Sequence, residues 1–177
     1  CGLLITKNSG ISWTKVQMPN PVISGTTYNV STHLHLAVSM SRNGQHMMCA
    51  TSDKGAKGGT QIIHYSHDYG DNWTHATNVP TTYGSRQFGA SAISDDGQYM
   101  YMNSLEENKI WYTHDSGSNW TSTGAAGRGI WYTMVCSSDG SKIIGGDSQS
   151  GGLHISINHG VNWSNVNANN VKYQIIC

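Results

Sequence analysis

Apolar and polar residues alternate along this chain in short runs, each bounded by Gly, Ser, Asn or Asp. Such runs predict short β-strands joined by tight turns. No 3.6-residue periodicity persists long enough to predict a helix. Strands are expected at 2–6 and 12–16, then at 33–41, 45–51, 60–66 and 72–77. They continue at 87–94, 98–104, 108–113 and 119–123, then at 129–137, 141–146, 152–156 and 162–166.

The punctuation between runs repeats. Ser66-x-Asp68-x-Gly70-x-x-Trp73 returns as Thr113-x-Asp115-x-Gly117-x-x-Trp120 and as Ser156-x-Asn158-x-Gly160-x-x-Trp163. A further copy is Thr6-x-Asn8-x-Gly10-x-x-Trp13. In this Trp turn, Asp or Asn folds back onto backbone N–H groups and Gly supplies a positive φ. The hydroxyl adds a local hydrogen bond. The Trp starts the next strand as a packing knob of roughly 150–250 Å². Burying it is worth a gross ~4–6 kcal/mol before entropy is counted.

A second turn, Ser-x-x-Gly, falls between the Trp turns, at Ser41–Gly44, Ser94–Gly97 and Ser137–Gly140. The full unit is therefore 43 to 60 residues long, which suits a four-stranded propeller blade. The Trp turn resembles the Asp-box, or BNR, repeat of sialidase-like and sortilin-like β-propellers. The resemblance spans nearly the whole chain. It implies an all-β propeller of four-stranded antiparallel blades, with about three and a half blades present. In that family the box joins strands three and four and lies on the face opposite the active site. Its structural residues here are Asn8, Gly10 and Trp13, Asp68, Gly70 and Trp73, Asp115, Gly117 and Trp120, and Asn158, Gly160 and Trp163.

The phase divides the chain into a half blade at 1–17 and blades at 33–77, 87–123 and 129–166. Residues 171–177 match 130–136 and read as the first strand of a further blade. The two ends supply strands one, three and four of a blade but lack strand two. Strands one and three would then meet in parallel, against the antiparallel order. Three explanations stand: a piece of a six- to eight-bladed chain, completion by a partner or another copy, or an open array with capped edges.

The linker face, opposite the Trp turns, is where the resemblance places binding. It comprises about 18–32, 52–60, 77–87, 104–108, 123–129, 147–152 and 166–171. Candidate ligand residues there are Arg86, Arg128, His33, Trp131 and Asp147. Arg86 and Arg128 precede equivalent inner strands, and a bidentate Arg reads carboxylate or sulfate well. Arg42 sits in a Ser-x-x-Gly turn, on the structural face. No Phe/Tyr-Arg-Ile-Pro segment and no Tyr–Glu pair is found, so sialidase catalytic residues do not carry over. Asp53, Glu106, Glu107 and Asp147 are the carboxylates available for a hydrolytic pair. His33-x-His35 and the pair His64 and His67 have workable ligand spacing. His67 and His114, however, hold the same variable turn position, which reads as an exposed turn. Gly55–Gly59 lacks the phosphate-loop spacing. No metal and no cofactor is expected.

Composition narrows the function class. Ten basic and ten acidic residues balance to zero formal charge, and charged residues are only 11% of the chain. Nucleic-acid binding needs a basic footprint that is missing, and there is no apolar run long enough for a membrane span. Four sequons begin at Asn29, Asn72, Asn119 and Asn162, the last three being Asn-Trp-Ser/Thr that closes the turn. They are N-glycosylation candidates. Together with the Ser/Thr/Asn-rich surface they point to an extracellular or cell-surface protein. Cys1, Cys49, Cys136 and Cys177 are disulfide candidates with three possible pairings. Cys1 and Cys177 share the incomplete blade in phase. The expected function is a non-enzymatic extracellular binding or assembly module, its partners another chain or further copies completing the open blade, and glycans. The alternative is a fragment of a sialidase- or xyloglucanase-type glycoside hydrolase.

Overall fold

The computed structural model describes residues 2–23, 25–29, 34–52, 61–77, 79, 88–104, 109–124, 131–147 and 152–166. It is an all-β propeller array: three four-stranded antiparallel blades, a half blade and a small hairpin. The half blade pairs β1 (Leu4–Ile5) with β2 (Thr14–Lys15). The hairpin pairs β3 (Val22–Ile23) with β4 (Thr26–Thr27) and turns on Gly25. The sequence pattern predicts only a linker over 18–32, and the structure places this hairpin within it.

The first full blade is β5 (Leu34–Met40), β6 (Met47–Ser52), β7 (Gln61–Ser66) and β8 (Thr74–His75). The second is β9 (Phe88–Ile93), β10 (Met100–Ser104), β11 (Lys109–Thr113) and β12 (Thr121–Gly124). The third is β13 (Trp131–Cys136), β14 (Ile143–Asp147), β15 (Leu153–Ser156) and β16 (Ser164–Val166). Within each blade neighbouring strands pair in sequence order. The expected strands are all present through residue 166, most of them shorter than expected at one end or both. Residues 171–177 lie outside the described residues.

The first and second full blades bury both faces against their neighbours, so their second strand alternates between two cores. Met47 and Cys49 point back to the half blade, where they pack with Trp73, Leu3, Ile5 and Val16. Met48 and Ala50 point forward, into a core shared with Met100, Met102, Trp111 and Trp120 of the second blade. Tyr101 and Ile110 of that blade face forward again, against Trp131, Met134, Ile143 and Trp163. Period-two alternation on a sheet buried on both sides produces this interleaving.

One feature recurs that alternation alone did not foretell. Strand one of every full blade carries a bulge against strand two, at His35–Ala37, at Phe88–Ser91 and at Trp131–Thr133. An extra residue bends the strand and re-aims the side chains beyond it.

Candidate functional site

The turn face is held by hydrogen bonds that repeat from one Trp turn to the next. In all four Trp turns the hydroxyl oxygen accepts the Gly N–H, at 2.9–3.1 Å. The Asp or Asn Oδ1 accepts the N–H four residues on, at 2.8–2.9 Å. The indoles of Trp73, Trp120 and Trp163 donate to the turn Gly carbonyls at 2.9–3.1 Å. The residue before each Gly is also left-handed: Ser9, Tyr69, Ser116 and His159 have φ of 55 to 60°. The backbone N–H of Asn72 is the main reason the Asp68 carboxyl sits low, at about 2, with the Asn72 and Ser66 side chains adding to it.

The second position of the turn links blades. Lys7 pairs with Asp71 of the first blade. His67 Nε2 meets the Ser116 carbonyl of the second blade at 3.0 Å. His114 Nε2 meets the His159 carbonyl of the third at 2.9 Å. His67 and His114 are thus half-buried ties rather than open turn residues. Their equivalent in the third blade is Ile157, which is 75% exposed. The Ser-x-x-Gly turns make a parallel set of ties. Asp95 Oδ1 accepts the Arg42 N–H at 3.0 Å, and the Asp95 N–H donates to the Ser138 carbonyl at 2.8 Å. Arg42 therefore lies on the structural face, as its turn implied.

A groove of about 270 Å³ runs along the inner strands and is lined from all three full blades, by Val38, Gly89, Ser91, Tyr132 and Thr133 among others. Tyr132 stands 63% exposed there. Trp131, a candidate ligand residue in the sequence, is fully buried instead. Its ring stacks on His154 at 4.9 Å and meets Trp163 edge-on at 5.1 Å. The bulge at Trp131–Thr133 gives strand one an extra residue, Tyr132, and it is this side chain that stands open at the groove.

Buried polar atoms gather at the linker-face ends of the strands. Gln61 Nε2, both side-chain polar atoms of Asn103, and Trp131 Nε1 have no hydrogen-bond partner among the described residues. Asn103 is fully buried and Gln61 nearly so. Groups of this kind require partners, and residues 53–60, 105–108 and 125–130, adjacent to them in sequence, lie outside the described residues. So do His33, Arg86, Arg128, Asp53, Glu106, Glu107 and Gly55–Gly59. Asp147 closes β14 opposite Trp131, and only its backbone is described. No cluster of three His, Cys, Asp or Glu occurs among the described residues.

Cys49 and Cys136 do not bridge one another. They lie in different interblade cores, and Cys136 carries a free thiol. Burial pushes both thiols up to about 12. Cys1 and Cys177 fall outside the described residues. The sequon residues Asn29, Asn72, Asn119 and Asn162 are all exposed. The amide nitrogens of Asn72 and Asn119 donate to the turn carboxylates, each at 2.7 Å.

No protein-family model and no curated relative matches the chain. Solved structures of propellers do. A GH74 enzyme of Niastella koreensis superposes with a TM-score of 0.58 at 23% identity, over 78% of this chain and 18% of that one. The YCF48 protein bound to a D1 peptide gives 0.56 at 16% identity, over 76% and 40%. A chain of a nidogen/laminin complex gives 0.58 at 10% identity, over 86% and 58%. At these identities the likeness is one of fold. The chain spans between about a fifth and three fifths of the length of these neighbours. No helix among the described residues is long and apolar enough to cross a membrane.

Proposed function

We propose that this chain is a non-enzymatic, extracellular binding and assembly module of Asp-box propeller blades. In this reading its open blade faces join it to a further chain or to further copies of itself. The observation that carries the reading is a contrast between equivalent residues. Trp73 and Trp120 pack back against the preceding blade and are 8% and 6% exposed, whereas Trp13 is 59% exposed. Leu4 and Ile11 stand exposed beside Trp13 in sequence, and Ile157, Val161 and Val166 are exposed on the third blade. Exposed apolar clusters of this kind mark interaction surfaces. An apolar pocket of about 320 Å³ between the half blade and the first blade, lined by Leu4, Trp13, Met40 and Trp73, adds to that surface. One structural neighbour holds a peptide, which is compatible with capture of a segment from another chain. The exposed sequons and the sparse charge support the extracellular assignment and glycans as surface decoration.

Sedimentation velocity over a concentration series tests the proposal. The expected result is concentration-dependent association that Trp13→Ser abolishes without loss of the folded signal. A strictly monomeric species at every concentration, with no partner retained by the Trp13 face, contradicts it. The GH74 neighbours make hydrolysis the competing reading. Turnover of a glycan panel that is lost in Arg128→Ala or Asp147→Asn would replace the assembly role with a catalytic one.

A further inference from the structure

The seams between blades share one register. At each of them the second position of a Trp turn reaches the Trp turn of the next blade. Lys7 pairs with Asp71, His67 meets the Ser116 carbonyl, and His114 meets the His159 carbonyl. The later blade's turn Trp packs on strands three and four of the earlier blade. Trp73 lies in one core with Ile5 and Val16, and Trp120 in one core with Tyr65 and Ala76. The third blade repeats these receiving positions without a described blade to fill them. Counted from the turn, Ile155 stands where Ile5 and Tyr65 stand, and Val166 where Val16 and Ala76 stand. Ile155 is half-buried and Val166 exposed. The matching free half is the half blade. Its turn Trp, Trp13, is 59% exposed, so no blade of its own chain covers it. Ile157 holds the turn position of Lys7, and Ile11 holds that of Asp71. Where the pattern is used within the chain, those two positions touch. At the free halves both are isoleucine, and at 86% and 75% Ile11 and Ile157 are the most exposed large apolar side chains among the described residues.

We propose that a second copy of this chain docks head to tail, its half blade seated on the third blade of the first copy. The inference rests on the assembly reading above and names its partner and its register. Trp13 of one copy lies over Ile155 and Val166 of the other, as Trp73 lies over Ile5 and Val16 within the chain. Ile11 meets Ile157, an apolar contact in the place of the Lys7–Asp71 ion pair. Burying two isoleucines and an indole together removes the apolar surface that a single copy leaves in water. The two faces are different surfaces of one chain, so the contact is heterologous, and each copy offers one face of each kind. An isologous pairing of two half blades would set Trp13 against Trp13 and leave Ile157 in solvent.

The test is sedimentation velocity of Ile157→Lys and Ile11→Asp, each alone and then mixed in equal amounts, beside the wild-type chain. Each variant alone sets an unpaired charge against an isoleucine and should weaken self-association about tenfold or more. In the mixture the ammonium introduced in one chain meets the carboxylate introduced in the other, as Lys7 meets Asp71. The other contact in the alternating assembly is still Ile11 on Ile157. Mixing should therefore restore most of the lost association, which an isologous contact would not allow. Both positions are exposed in the single chain, so the dilute variants should melt as wild type does. Association untouched by Ile157→Lys, or a mixture as dissociated as its components, overturns the head-to-tail register. The assembly reading survives that result if Trp13→Ser still abolishes association. A wild-type chain that stays monomeric at every concentration also overturns the proposal, and the assembly reading then rests on whether the Trp13 face retains a different chain.

Discussion

At the scale of single residues, the Trp turn is a closed ring of hydrogen bonds, and its carboxylates make it sensitive to acid. The Asp68 carboxyl is held at about 2, first by the Asn72 N–H and then by the Asn72 and Ser66 side chains. Asp139 in a Ser-x-x-Gly turn is likewise lowered, by Ser137 and Ser141. A folded-state value below the unfolded one means that the contribution is fully present above about pH 4 and is lost as pH falls through the folded value. The melting temperature should therefore hold steady from neutral pH to about pH 5 and fall between about pH 4 and 2. Asp68→Asn should flatten part of that fall, which a pH series of thermal melts would show. Two glycines separate strain from crowding. Gly10 and Gly117 both have φ near +90°, but a Cβ on Gly10 meets nothing while one on Gly117 meets the Tyr65 ring at 2.6 Å. Gly10→Ala should cost about 1 kcal/mol of strain. Gly117→Ala should cost more, by roughly 1–3 kcal/mol of overpacking, measured by denaturant unfolding.

At the scale of elements, blade packing is carried by the turn tryptophans. Trp120→Ala should cost about 3–5 kcal/mol, as a buried aromatic does. Trp13→Ala should stay within about 0.5 kcal/mol, as an exposed substitution does. Paired urea melts compare them directly. The turns and strands were legible in sequence because positive φ at Gly70 and side-chain capping by Asp68 are local demands, written in local residues. The hairpin at Val22–Thr27 was not, because a two-residue strand leaves no alternation to read. Nor was the bulge in strand one. Its extra residue puts Tyr132, not Trp131, at the inner groove, and nothing near Trp131 signals that shift. The ties made by His67 and His114 were missed for a different reason. Their partners are carbonyls 49 and 45 residues away, and a carbonyl carries no sequence signal.

At the scale of the whole molecule, one interface is used three times within the chain. Half blade on first blade, first on second and second on third each pack a turn Trp of the later blade against the earlier one, Trp73 and Trp120 buried and Trp163 partly so. Trp13 is the turn Trp left facing solvent, and Ile157 stands exposed at the tie position held by His67 and His114 in the earlier blades. On the proposed assembly role, these surfaces are where the module is joined to its partners. Hydroxyl-radical footprinting across the association range tests this most directly, with Trp120 as the internal standard that stays protected throughout. The expected result is that Trp13 is oxidised rapidly in the dilute chain and becomes protected, toward the Trp120 level, as the assembly forms. Association that leaves Trp13 as reactive as in the dilute chain would contradict it.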